Sequence, residues 1–288
     1  MKAPAALRSS EWLLIGYFVY VALIARAFPL APDVAWLPLT VALLVPSLFF
    51  ALAVGGEVFS IARDWIPLGL TLLAYREMDW FSPVAKDHHL ELRWIHWDRT
   101  ILYGAGVQRA IESLGALLPA YLELCYLLVY AVGPFAVAVV YIVRRRELVN
   151  RVLFLYLLGT VLAYALFPYF PSDPPRTLFG NADLPNVITP LRRFNLWIVG
   201  GYGIHSSVFP SAHVSSAFSA AWAFFLFLPG RKRFGWGMLI YAVSVAIATV
   251  YGRYHYAVDA LAGLGVSLVA GATTLVALRR PLRARGLP

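Results

Sequence analysis

Cysteine is nearly missing from this chain. Cys125 stands alone inside an apolar run, so neither an intramolecular disulfide nor a cysteine-based zinc site can form. Charge is scarce too: Asp, Glu, Lys and Arg make up 14% of 288 residues, against about a quarter in soluble domains. Internal repeats, low-complexity tracts and linkers are also absent, and residues 1–288 read as one domain.

Apolar residues fill the space. The chain is 60% hydrophobic with a mean hydropathy of +0.70, more than a soluble fold could bury in its own core. A bilayer is the solvent this implies. The net charge of +9 would suit nucleic acid in a soluble protein, but here the basic residues bunch between apolar runs. They read as membrane topology, and no nucleic-acid partner is expected.

A span needs roughly 20 apolar residues. Residues 11–29, 36–55, 119–143, 149–169, 208–229, 234–252 and 256–278 qualify. Segment 58–76 is interrupted by Arg63 and Asp64 and reads as either a short crossing helix or an interfacial one. The fold class is therefore all-α, a polytopic membrane bundle of 7–8 helices. Lys2 and Arg8 precede an apolar stretch that begins at Trp12, which reads as a first span rather than a cleaved signal. Arg144, Arg145, Arg146 and Arg151, then Arg231, Lys232 and Arg233, then Arg279, Arg280, Arg283 and Arg285 fall on one side, assigned to the cytoplasm. Lys2 and Arg8 join them only if 58–76 crosses. Residues 1–118 supply N-terminal helices and, over 77–118, an interfacial layer with Trp80, Trp94 and Trp97. Residues 119–288 carry the chemistry.

Three pieces meet on the opposite, non-cytoplasmic side of a plasma or inner membrane: Pro171-Ser-Asp-Pro-Pro-Arg176-Thr, Phe209-Pro-Ser-Ala-His213 and Tyr251-Gly-Arg-Tyr-His255-Tyr-Ala-Val-Asp259. Pro210 suits a first helical position, leaving Ser211 and Ala212 to offer free amides to an anion beside His213. His255 and Asp259 are four apart and share a helical face, where a carboxylate fixes the tautomer and raises the basicity of the imidazole. Arg176, held after Pro174-Pro175, and Arg253 supply charge for a phosphate. Helix caps, interfacial ion pairs and headgroup contacts would use the same residue types. Glu123, His205, Arg192 and Arg193 are weaker candidates, and His88, His89 and His96 read as surface residues.

Phe-Pro-Ser-Ala-His followed about forty residues later by His-x-x-x-Asp resembles the type 2 phosphatidic acid phosphatase superfamily. The Pro-Pro first motif, Asp98-Arg-Thr-Ile-Leu-Tyr-Gly and Tyr130-Ala-Val-Gly-Pro-Phe-Ala-Val-Ala are similar to its inositol phosphorylceramide synthase branch, over about 95 to 275. The resemblance implies a six-helix core and a lipid phosphatase or phosphotransferase, of phospholipid or sphingolipid metabolism, working without metal or cofactor. It implies His255 as nucleophile, Asp259 orienting it, His213 as acid and base, and Arg176, Ser211 and Arg253 holding phosphate. A lipid phosphate is the expected substrate, with water or an alcohol such as inositol as acceptor. The chain departs from the family pattern where a lysine and an arginine are expected, at Tyr169 and Thr249, and has Thr177 after Arg176. A different class, a lipid or solute transporter with a histidine proton relay, needs inverted repeats and deep charge that the sequence lacks.

Overall fold

The computed structural model describes residues 6–55 and 57–283. Lys2, Arg285 and the side chains at Arg279, Arg280 and Arg283 lie outside the described residues. Among the described residues the fold is all-helical. Five stretches are long and apolar enough to cross a membrane: Leu37–Val54, Leu117–Ile142, Arg146–Tyr169, Pro229–Tyr251 and Ala257–Leu278. The chain is thus built as an integral membrane protein. Ser9–Ile24 and Ala212–Phe227 are shorter apolar helices beside them.

The helices are α1 (Ser9–Ile24), α2 (Leu37–Val54), α3 (Glu57–Glu77), α4 (His89–Arg99), α5 (Val107–Glu112), α6 (Leu117–Leu128), α7 (Val132–Ile142), α8 (Val149–Leu166), α9 (Pro175–Leu178), α10 (Pro190–Tyr202), α11 (Ala212–Phe227), α12 (Lys232–Tyr251) and α13 (Ala257–Arg283). A short 3-10 turn joins α6 to α7. α11 is the hub, packed against α8, α12 and α13. Small residues let it sit close: a Cβ on Gly159 of α8 would meet Ser219 Oγ of α11 at 1.9 Å. Ser215 Oγ donates to the Gly159 carbonyl at 2.7 Å. Without a hydrophobic drive between helices in lipid, such close backbone approach is what holds them.

The doubtful segment 58–76 proves to be one unbroken helix. At 21 residues α3 is about 30 Å long, the thickness of a hydrocarbon core. At one end Asp64 accepts from Arg8 Nη1 at 2.5 Å and Arg146 Nε at 2.7 Å. At the other, Tyr75 Oη accepts from the Ile204 amide at 3.1 Å and Arg76 reaches the Tyr202 carbonyl. Arg63 is buried against Glu11 of α1, with contacts of 2.6 and 2.7 Å. The charges that interrupted the apolar run are paired inside the protein, so they do not stop the helix. Eight rods, α6 and α7 counting as one, then make up the bundle among the described residues, five of them long and apolar enough to cross a membrane.

α4, α5 and α10 cap the end remote from the Arg8–Asp64–Arg146 cluster. The buried face of α4 is Glu91, Trp94, Ile95 and Asp98, a helical spacing that puts two carboxylates among apolar neighbours.

Replacing Glu11 with Ala strands a buried guanidinium. Glu11→Ala should lose about 3–5 kcal/mol, read as a lower thermal midpoint in detergent. Adding Arg63→Leu should restore most of it.

Candidate active site

The loop between α12 and α13 is held by hydrogen bonds before it does any chemistry. The amides of Tyr254 and His255 both donate to the Thr249 carbonyl, at 2.9 and 3.0 Å. Arg253 has φ +61°, a left-handed conformation uncommon without glycine. It is kept there by Asp98 of α4, whose Oδ2 accepts from Arg253 Nη1 at 2.6 Å while Oδ1 accepts from the Ala257 amide at 2.9 Å. Trp94 packs on Phe209 and Tyr256, and Tyr256 Oη donates to the Asp173 carbonyl at 3.1 Å. Glu91 accepts from the Asp173 amide at 3.0 Å. One side of α4 therefore touches all three sequence motifs.

His255 follows directly. Its Nδ1 lies 2.9 Å from the Val208 carbonyl and 3.3 Å from Asp259 Oδ2. Both partners are acceptors, so Nδ1 carries the proton and Nε2 keeps its lone pair. Asp259 is fully buried and also accepts from the Tyr256 amide at 2.9 Å. His255 Nε2 lies 3.3 Å from His213 Nδ1. Burial pushes the His255 imidazole down from 6.5 to about 3; the charge of Arg176 adds to the shift, and the Val208 contact opposes it. The raised basicity expected from the His–Asp pairing does not appear, because the shift is downward.

α11 begins at Ala212 with Ser211 as its N-cap, so Pro210 precedes the cap instead of opening the helix. The Ser211 amide is spent on the Asp259 carbonyl at 2.9 Å, and its Oγ caps the Val214 amide. The open amides at this end belong to Ala212 and His213, as the first turn of any helix leaves them. Gly263 permits this docking: a Cβ there would meet the Ser211 carbonyl oxygen at 2.4 Å.

A cavity of about 250 Å³ is lined by His213, His255, Arg176, Ala212 and the rings of Tyr126, Tyr130 and Tyr254. Arg176 is held over the Tyr254 ring, 5.3 Å from its centre, and its amide donates to the Arg253 carbonyl at 3.2 Å. Two expected phosphate ligands lie elsewhere. Ser211 is fully buried and absent from the lining, and Arg253 turns its guanidinium to Asp98. His205 is exposed and faces Asp79. Glu123 and Arg192 form a buried pair at 2.8 Å, and Glu123 also accepts from Tyr254 Oη at 2.7 Å. This pair backs the Tyr254 wall without lining the cavity.

In the sequence Asp98 stands in a family-like motif and Trp94 in an interfacial layer, while Glu91 carries no signal of its own, and none of the three is marked as supporting the site. Their spacing in one amphipathic helix was the available signal. Asp98→Ala leaves Arg253 buried and unpaired, so amide hydrogen exchange over 253–257 should quicken by at least about tenfold, one factor of ten per 1.4 kcal/mol of lost protection. The remote Arg8–Asp64 cluster should be unaffected.

A family model described as the PAP2 superfamily matches residues 94–273. A stretch of 60 residues is 42% identical to a PA-phosphatase related-family protein of Dictyostelium discoideum, covering 21% of this chain and 10% of that protein. The match thus spans about a tenth of the relative's length. No solved structure matches the chain. The matched range holds the two histidines, the aspartate, Arg176 and, from α4, Trp94 and Asp98, and the chain belongs to the PAP2 superfamily.

Proposed function

We propose that this protein is a membrane enzyme that cleaves or transfers a phosphate-containing group of a lipid through a phosphohistidine on His255. The observation that carries the reading is the 3.3 Å approach of His213 Nδ1 to a His255 Nε2 whose lone pair is freed by Val208 and Asp259. Burial keeps His255 neutral, as a nucleophile must be.

In the proposed reaction, substrate phosphate parts the two rings and lies against Arg176 and the open amides of Ala212 and His213. The Nε2 lone pair of His255 attacks phosphorus, the bond to the leaving oxygen breaks, and His213 gives that oxygen a proton. His213 then takes a proton from water or an alcohol, whose oxygen attacks phosphorus as the N–P bond breaks. Arg176 and the helix end stabilise the equatorial oxygens in both steps. Arg253 and Asp259 act by position: Arg253 through the loop, Asp259 through the tautomer. Ser211 acts as the cap that orients the amides.

Hydrolysis and transfer share the first half. The similarity to inositol phosphorylceramide synthases favours an alcohol acceptor such as inositol and a sphingolipid-type product. The arginine-rich end of the bundle, taken as cytoplasmic under the positive-inside rule, would put the cavity at the non-cytoplasmic face. Residues 1–288 would work as one integral domain.

Mixing purified protein with radiolabelled lipid phosphates should trap acid-labile, base-stable phosphate on the protein. His255→Ala should abolish trapping, and His213→Ala should cut turnover by roughly 10²–10⁴, the range for a lost acid–base group. Turnover with no trapped phosphate at any time point would overturn the phosphohistidine.

The acid limb of kcat/KM should lie well below pH 6.5, since His255 protonates only near pH 3 in the folded enzyme. The same shift gives a stability contribution that is complete above 6.5 and lost as pH falls toward 3. A pH–rate profile and melts across that window read both.

A further inference from the structure

The guanidinium of Arg176 lines the cavity with no acid to hold it. Among the described residues no carboxylate pairs with it, and Asp173, three residues earlier, is taken by Lys86 at 2.5 Å. The helix that carries it, α9, has four residues. A long side chain on so short a support has several rotamers open to it, and fixing one costs entropy. Its Nη1 reaches the Tyr254 carbonyl at 3.4 Å, a long and weak contact. The stronger hold is the face of the Tyr254 ring, whose centre lies 5.3 Å from the guanidinium carbon.

That ring is itself fixed. Tyr126 stacks on it, with centroids 3.7 Å apart and planes 8° from parallel. Its hydroxyl donates to Glu123 Oε2 at 2.7 Å. Glu123 is shared in turn: Oε1 accepts from Arg192 Nη1 at 2.8 Å, and Oε2 from Asn195 Nδ2 at 2.7 Å. Arg192 Nη1 also donates to the Gly252 carbonyl at 3.1 Å, two residues before Tyr254. Glu123, Arg192 and Asn195 are each at most 2% exposed; the first stands on α6 and the others on α10. Desolvating a carboxylate and a guanidinium together is expensive, and apolar side chains of similar volume would pack α10 on α6 at less cost. Holding α10 in place therefore does not account for these charges.

The ring they meet does. A phenol that donates to a carboxylate becomes richer in electrons, and its face attracts a cation more strongly. A ring also grips a guanidinium by its face and leaves the N–H edges open, the edges that meet two oxygens of a phosphate. A carboxylate set directly on Arg176 would hold it too, but would occupy those donors and cancel the charge. With one phenol ring between acid and base, the cation is held and stays available.

Resting on the function proposed above, we infer that the Tyr254 ring is the seat of Arg176, and that Glu123, with Arg192 and Asn195, is a positioning group that sets this seat for phosphate. Tyr254 lines the cavity, whereas Glu123, Arg192 and Asn195 do not. The three act on substrate phosphate through the ring and the guanidinium it carries.

The test is binding of inorganic phosphate to the purified protein, followed by phosphorus NMR line broadening. Tyr254→Leu removes the seat and should weaken phosphate about tenfold, within the range of a desolvated cation–π contact. Tyr254→Phe keeps the ring and cuts its tether to Glu123, so a loss of about threefold is expected. In an Arg176→Ala background neither change should weaken phosphate further, a non-additivity that general loosening of the fold would not produce. Tyr254→Phe keeps the packing and stays readable even where Tyr254→Leu does not fold. Unchanged phosphate affinity in a Tyr254→Phe protein that melts normally, or equal losses with and without Arg176, overturns the seat. The trapping experiment on His255 separates the two readings. Phosphate binding coupled through Tyr254 without phosphohistidine sinks the enzyme and spares the seat, and phosphohistidine with uncoupled binding does the reverse.

Discussion

A single buried carboxylate, Asp98, sets the geometry on which the site depends. It holds Arg253 in a left-handed conformation and fixes the first amide of α13. From there the order passes along the backbone: the Arg253 carbonyl accepts from the Arg176 amide, and Tyr254 lies under the Arg176 guanidinium. The next residue is His255. A guanidinium and a carboxylate withdrawn together from solvent hold position well only when the pairing is close, because an unmatched buried charge is far more costly than a matched one. The arrangement therefore favours one loop conformation over its neighbours, and a site that must present a lone pair and a cation at fixed positions needs that.

The same rule shapes the other end of the bundle. Arg63 and Asp64 sit in a helix that lipid would reject if they were bare, and each is neutralised inside the protein, by Glu11 on one side and by Arg8 and Arg146 on the other. Two ion-pair clusters thus brace opposite ends of an apolar bundle. Between them the helices are held by small-residue contacts such as Gly159 against Ser219. Polar groups fix the ends and close packing fixes the middle, where few polar partners are available.

Part of the site was legible in the sequence. His213, His255 and Arg176 line one cavity, and the sequence placed their three segments at helix ends on one side of the bundle, which allows such a meeting without dictating it. His255 and Asp259 do touch, but not across a helical face as their spacing suggested: α13 opens at Ala257, so His255 lies in the loop before it, placed by the Val208 carbonyl and Asp259. What could not be read was direction. Arg253 is adjacent in sequence to the site loop, yet its side chain leaves for Asp98, 155 residues away. The Ser211 amide looked free because its acceptor, the Asp259 carbonyl, lies on another helix. Pro210 looked like the first helical residue, but the helix starts at Ala212, after Ser211.

The sequence by itself determined the solvent, the helical class, the approximate spans and the set of chemical groups, because hydropathy, charge clustering and helical spacing are local properties. Only the tertiary structure decided that 58–76 is one unbroken helix, which guanidinium faces the cavity, and which nitrogen of His255 is free. Those outcomes depend on partners brought in from distant parts of the chain. A charged or hydrogen-bonding side chain goes where its counterpart is, and sequence distance carries no record of that place.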